Sequence, residues 1–251
     1  MRIAHISDIH VSSDNYVPEW GDNVIRTMNQ PDMDLVILTG DLTMNGHPHE
    51  YDKAKEFMDR IDPRCLVVPG NHDSYNGGYV LFEELFGTRK PHFENDIVVV
   101  QGMDSSEPDL DDGKIGRHNY PLIERALSKD KVRILALHHH IIPVPMTGRE
   151  WNILSDAGDV LAVCIDLKLD LVLSGHRHLP WIWNLQGTHF VTAGTACTRR
   201  LKGRTYPSFN IIEMDGDRLI LERVNVRTGE RTRLIDRLGG PTGRAEDRGQ
   251  Q

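Results

Sequence analysis

Six short apolar stretches punctuate the first two thirds of the chain, at residues 3–6, 35–38, 66–68, 97–100, 132–137 and 169–173. Each is rich in Val, Ile or Leu with little alternation and gives way to glycine or polar residues, the pattern of strands buried on both faces. Amphipathic segments lie between several of them. Over residues 19–29, Trp20, Val24 and Met28 recur every four positions just after Pro18, and over 50–61, Tyr51, Ala54, Phe57, Met58 and Ile61 form one stripe. Residues 122–127 follow Pro121, a favoured first helical residue. Residues 155–167 open on a serine suited to capping and carry Val160, Leu161, Cys164 and Ile165. Alternating strands and helices predict an α/β architecture.

After Pro180 the pattern changes. Residues 181–186, 188–193, 209–214 and 218–226 read as strands, with turn signals at 184–187 and Asp215-Gly216 and no clear helix between them. They are expected to form a second, mostly antiparallel sheet packed on the first. Residues 1–237 then make one domain, and residues 238–251, rich in Gly, Pro and charge, read as a disordered tail.

Composition narrows the class. A chain of 251 residues can bury one large core, and 39% hydrophobic with 26% charged residues is a globular balance. No apolar run approaches the roughly 18 residues a membrane span needs. The start, Met1-Arg2-Ile3-Ala4-His5, reads as a strand rather than a signal peptide. Cys65, Cys164 and Cys197 form no CxxC pair and leave an odd thiol, as expected of a reduced, cytoplasmic protein. The net charge of -8, from 37 acidic and 29 basic residues, weighs against a nucleic-acid partner. It favours a small substrate held by local positive charge, which bound metals would add.

The candidate chemistry follows the strands. The first is followed by Asp8 and His10, the second by Gly40-Asp41, and the third by Gly70-Asn71-His72-Asp73. The fifth is followed by His138-His139-His140 and the sixth by Gly175-His176-Arg177-His178. Open α/β sheets collect functional groups at strand carboxyl ends. Carboxylate, imidazole and amide oxygen without thiolate suit Mn, Fe, Zn or Co. There are more ligands here than one ion takes. Asp41, alone on its strand end, is the natural bridge between two ions about 3.5–4 Å apart, the spacing of two-metal phosphatases and nucleases. Gly-Asp or Gly-Asn alone would mark a turn; five motifs at successive strand ends carry the reading together.

Other polar residues draw ordinary readings. His5 is expected to be a hydrogen-bonded strand histidine, and His47, His49, His92 and His189 surface or capping residues. Trp181 and Trp183 are expected to pack between sheets. Arg199-Arg200-Leu201-Lys202 reads as a solvated basic patch, with attraction of an anionic substrate as its alternative. His118 belongs to a polar loop, 111–119, that either meets solvent or lines the site's mouth. Residues 143–152, with Thr147, Gly148, Arg149 and Glu150, are the leading candidates for substrate selection.

In their order the five motifs, spanning Asp8 to His178, resemble the calcineurin-like metallophosphoesterase superfamily. Within it the chain is most similar to class III cyclic-nucleotide phosphodiesterases, in its size and its Ile-Ser-Asp-Ile-His run. The resemblance implies a four-layer αββα sandwich of two mixed β-sheets flanked by helices. It implies one ion on Asp8, His10, Asp41 and His178 and a second on Asp41, Asn71, His138 and His176. His138 is the first histidine after the apolar run; His139 is the alternative ligand and, with Asn71 and His72, an expected substrate contact. Metal-activated water would attack phosphorus. His72 would stabilise charge or protonate the leaving oxygen, its ring oriented by Asp73. The implied activity is hydrolysis of small phosphodiesters such as cAMP or bis-p-nitrophenyl phosphate. A DNA nuclease, a phosphomonoesterase or protein phosphatase, and a nucleotide-sugar or lipid-precursor hydrolase stay open on the same metal core, as does a scaffold without catalysis. A homodimer through a helix or strand edge is also open.

Overall fold

The computed structural model describes residues 1–128, 130–148, 151–216 and 218–238. Arg149 and Glu150 and residues 239–251 of the expected tail lie outside the described residues. Strands β1 (Arg2–Ile6), β2 (Leu35–Thr39) and β3 (Arg64–Val68) run parallel in one sheet. Strands β4 (His92–Glu94), β5 (Val98–Gly102), β6 (Val132–Ala136), β7 (Leu171–Ser174), β8 (Trp181–Leu185) and β9 (Thr188–Thr192) make the other, in the order β4-β5-β6-β7-β9-β8. Strands β10 (Ser208–Asp215), β11 (Arg218–Asn225) and β12 (Arg231–Leu238) return to the first sheet, ordered β12-β11-β10-β1-β2-β3. The helices are α1 (Pro18–Met28), α2 (Pro48–Met58), the short α3 (Asn71–Ser74), α4 (Gly78–Phe86), α5 (Tyr120–Leu127) and α6 (Ala157–Asp166).

The unalternating apolar runs have a direct cause: both faces of each sheet are covered. Ile3, Leu35 and Ile37 of the first sheet meet Val98, Val100, Ile134 and Leu171 of the second in a central core. Their strand neighbours Ala4, Val36 and Leu38 point the other way, onto Val24 and Met28 of α1, Ala54 and Phe57 of α2, and Phe82 of α4. On the far side Val99, Leu135 and Val172 pack on Ile123 and Leu127 of α5 and on Val160 and Cys164 of α6. The layers are therefore α, β, β, α, as expected. Each fully buried Leu or Ile in them contributes roughly 1.5–3 kcal/mol relative to an exposed one.

The strands after Pro180 do not form a sheet of their own. They complete both sheets: β10 pairs antiparallel with β1 (Ile3 opposite Ile212), and β9 pairs parallel with β7. Without them β1 and β7 would each leave one edge of unpaired backbone groups inside the protein. The β8 edge also revises the reading of Trp181 and Trp183. Trp183 is 39% exposed at the outer margin of the second sheet, and its indole N–H donates to Pro143 O at 2.9 Å. Among the described residues no helix is long and apolar enough to cross a membrane.

His5 sits wholly inside β1, between Thr39 Oγ1 (3.1 Å) and Asn210 Nδ2 (3.2 Å), as a structural histidine. Burial pushes its pKa down from 6.5 to about 3, with Asp8 opposing. Below pH 6.5 the unfolded chain therefore binds a proton at His5 that the native state refuses. Stability is lost as pH falls from about 6.5 towards 3, with a slope of up to about 1.4 kcal/mol per pH unit from this residue. Urea unfolding between pH 7 and 4 should show a shallower decline for His5→Gln than for the wild type, whatever the variant's stability at pH 7. Identical slopes would show that His5 takes no part in acid unfolding.

Candidate active site

The carboxyl ends of β1, β2 and β3 meet those of β6 and β7 on one rim. Backbone bonds join neighbouring loops within each sheet: Asp8 N–H to Gly40 O (3.0 Å) and His10 N–H to Asp41 O (2.9 Å) tie the β1 loop to the β2 loop, and Gly175 N–H to His138 O (3.0 Å) ties the β7 loop to the β6 loop. Five polar side chains at this rim sit on left-handed backbone: Asp8 (φ 54°), His10 (44°), Asp41 (58°), His176 (70°) and His178 (55°). Such a conformation costs on the order of 1–3 kcal/mol for a residue other than glycine and persists where the surroundings enforce it, which is typical of functional sites.

The strain brings donor atoms together. His178 Nε2 lies 3.2 Å from Asp8 Oδ1 and 3.2 Å from His10 Nε2, and His10 Nε2 lies 3.5 Å from Asp41 Oδ2. One ligand atom from each of Asp8, His10, Asp41 and His178 falls within 4.8 Å of all the others. The other carboxylate oxygen of the same aspartate, Asp41 Oδ1, lies 3.4 Å from His138 Nε2. His138 Nε2 is 3.1 Å from Asn71 Oδ1 and 3.2 Å from His176 Nδ1, and His176 Nδ1 is 3.1 Å from Asn71 Oδ1. Asp41 thus belongs to two donor sets, with one oxygen facing each.

Tautomers follow from the opposite side of each ring. His10 Nδ1 is 2.9 Å from Thr43 O, His138 Nδ1 is 2.6 Å from Thr39 O, and His178 Nδ1 is 2.8 Å from Arg200 O. A carbonyl only accepts, so each Nδ1 carries the proton and each Nε2 offers its lone pair inward, the arrangement found behind metal-ligating histidines. Among the described residues Asp8 Oδ1 is buried without a hydrogen-bond partner. Lone pairs aimed at one another in a buried site call for cations, and the carboxylate and imidazole donors fit divalent ions.

Charge supports the same reading. Burial pushes the Asp41 carboxyl up, but His138 and His72 outweigh it and hold Asp41 well below the usual carboxylate range. Burial drives His10 down to about 3 and His176 down as well, so both are neutral. His138 is the exception: burial lowers it, but Asp41 and Asp8 outweigh that and raise it to about 9. A potential that draws a proton onto His138 Nε2 draws a metal cation to the same place.

Around this centre opens a cleft of about 500 Å³, with His72, Tyr75, Asp111 and Asn152 on its wall. His72 N–H donates to Asp41 Oδ1 (3.1 Å), and His72 Nδ1–H donates to Met44 O (2.7 Å). Asp73 does not orient that ring. Its carboxylate accepts from the backbone N–H of Gly70 (2.9 Å) and Thr43 (2.9 Å) and from the Thr43 hydroxyl (3.0 Å), tying the β2 and β3 loops together. Burial, with Asp41's charge added, pushes Asp73 up to about 6. His139 likewise turns away from the cleft: Nδ1 meets the Ser105 hydroxyl (2.8 Å) and Nε2 donates to Asp111 O (3.0 Å). Of the two histidines, His138 aims its free nitrogen at the centre.

Three residues of the basic patch that the sequence reads as solvated, with attraction of an anionic substrate as its alternative, belong to the cleft. Arg200, Leu201 and Lys202 line the wall beside Arg177. Among the described residues Arg177, Arg200 and Lys202 form no ion pair, and Lys202 is pushed down by burial and by the charges of Arg177 and Arg200. Cations gathered at a cleft attract an anion. Of loop 143–152, Asn152 lines the cleft, and Thr147 accepts from Arg177 through its carbonyl at 2.8 Å and its hydroxyl at 2.7 Å. His118 lines a separate, larger cleft of about 1030 Å³ with Lys90, Lys114 and Asp159.

The profile of the calcineurin-like phosphoesterase family matches residues 1–180, the segment that carries all five motifs. The chain belongs to this family. It is 26% identical over 196 residues to a protein of Synechococcus named probable cyclic nucleotide phosphodiesterase, covering 72% of this chain and 75% of that one. It is 28% identical over 205 residues to a protein of Arcobacter nitrofigilis named probable glycerophosphodiester phosphodiesterase, covering 73% and 75%. Among solved structures, a dimetal phosphatase from Danio rerio superposes with a TM-score of 0.74 at 12% identity, over 96% of this chain and 99% of that one, and shows the same fold. The protein is a metallophosphoesterase, a hydrolase of phosphoester bonds.

Proposed function

We propose that this metallophosphoesterase hydrolyses small phosphodiesters, cyclic nucleotides or aryl diesters among them, on a pair of metal ions shared by Asp41. The observation that carries the reading is the split of one carboxylate between two donor sets, 3.5 Å from His10 on one side and 3.4 Å from His138 on the other. When bound, two such ions supply an activated water and neutralise phosphate charge. The protein's own groups do the rest. Arg200 and Lys202 draw the anionic ester into the cleft. His72, its Nδ1–H committed to Met44 O, presents Nε2 to hold or give a proton at the leaving oxygen. The names of the relatives, both diesterases, support a diester substrate.

The test is kcat/KM across bis-p-nitrophenyl phosphate, cAMP, p-nitrophenyl phosphate, single-stranded DNA and a phosphopeptide, with Mn²⁺ present. Either small diester should exceed the monoester, the polymer and the peptide by at least about tenfold. A faster phosphopeptide or DNA reaction overturns the substrate reading, and a protein that binds two ions yet hydrolyses nothing points to the scaffold.

A further inference from the structure

We propose that Asp111, on the loop after β5, is a positioning residue that fixes which end of the Asn71 carboxamide faces the metal centre; the inference rests on the two-ion reading above. Asn71 is buried, and its two ends differ chemically: Oδ1 can bind a cation and Nδ2 cannot. Rotating the amide by half a turn would exchange them at little steric expense, so something other than shape must choose. Asn71 Nδ2 donates to Asp111 Oδ1 at 3.3 Å and to the Tyr75 hydroxyl at 3.1 Å, and Tyr75 in turn donates to Asp111. A carboxylate only accepts, so the flipped amide would set Oδ1 against Asp111 and lose that bond, and it would keep Tyr75 only by taking the proton that the hydroxyl gives to Asp111. With the amide held this way, Oδ1 stands 3.1 Å from both His138 Nε2 and His176 Nδ1.

Asp111 is itself secured. Asn152 Nδ2 donates to its second oxygen at 3.3 Å, and its carbonyl accepts from His139 Nε2 at 3.0 Å. Ser105 holds the other nitrogen of His139 at 2.8 Å. The middle histidine of the triplet thus serves the site from behind, by anchoring the loop that aims Asn71.

Calorimetric titration of the metal-free protein with Mn²⁺ tests this. The wild type should take up two ions. Asp111→Ala should weaken the step assigned to Asn71, His138 and His176 by roughly 10–100-fold and leave the other step and the metal-free melting temperature unchanged. Asp111→Asn, which keeps an acceptor oxygen, should restore most of the loss. Unchanged affinity in Asp111→Ala, or equal weakening of both steps, overturns the positioning role while leaving the two-ion reading intact. A wild type that binds fewer than two ions overturns both. Should Asp111→Ala fail to fold, Tyr75→Phe carries the test, with a several-fold weakening of the same step expected and no change overturning the proposal.

Discussion

Asp41→Asn should lower turnover of bis-p-nitrophenyl phosphate by on the order of 10³-fold and reduce the bound metal from two ions to one or none, in a protein that still folds. The substitution keeps the shape of the side chain and an oxygen to accept the His72 N–H, and asparagine tolerates the left-handed φ of 58° as well as aspartate does. What it removes is charge, from both donor sets at once. Any other candidate ligand belongs to one set, so its loss should spare one ion. Metal analysis and kinetics on the same preparation check this, with Asp8→Asn as the comparison. If Asp41→Asn keeps two ions and its rate, Asp41 is not the bridge. The metal should also act on stability: Mn²⁺ at 100 times its dissociation constant adds about 2.7 kcal/mol per site, and Asp41→Asn should forfeit most of that gain.

The candidate ligands were legible in the sequence because metal chemistry restricts residue types and the sheet restricts their place. Asp8, Asp41, Asn71, His138 and His176 each fall within three residues of the end of an apolar run, so finding the strand ends finds the site. The roles of their neighbours were hidden. Asp73 and His139 carry the same chemistry as their ligand neighbours, and only the direction of each side chain separates a brace from a ligand. Arg200 and Lys202 read as surface charge because their place in the cleft depends on the path between β9 and β10, which no periodicity encodes. The strands missed have a similar explanation. In β12, Arg231, Arg233, Asp236 and Arg237 mask the alternation, yet Arg218 and Asp236 pair across the ladder, and Arg233 reaches Glu222. Charge on an edge strand guards against pairing with other chains. β4 spans only three residues, and α4 begins at Gly77-Gly78, which reads as a loop.

Gly70→Ala should be as damaging as losing a ligand, although Gly70 binds nothing. Its φ of -97° suits any residue, so conformational freedom does not explain it, and fewer unfolded states would favour alanine by about 0.4–1 kcal/mol. The obstacle is contact. A Cβ there would lie 2.5 Å from Asp41 N and 2.8 Å from Asp41 Cγ, and closer still to Asp41 Oδ1. None of these atoms can yield cheaply. The backbone of Asp41 is already left-handed, and its carboxylate is held by His72 N–H between two donor sets. Relief requires either moving Asp41 or parting the β2 and β3 loops that Asp73 ties together. The expected loss is about 2–4 kcal/mol, or roughly 5–15 °C in melting temperature for a chain of this size. Turnover should fall by about 100-fold or more, since a shift near 1 Å in a reacting group has that effect. Gly158→Ala on α6, where a Cβ meets nothing within 4 Å, should instead be neutral or stabilise by up to about 1 kcal/mol. Thermal melts and kinetics of the two variants together separate a general intolerance of alanine from the specific one argued here. Equal behaviour would mean that the β2 and β3 loops have slack that the Asp41 geometry does not show.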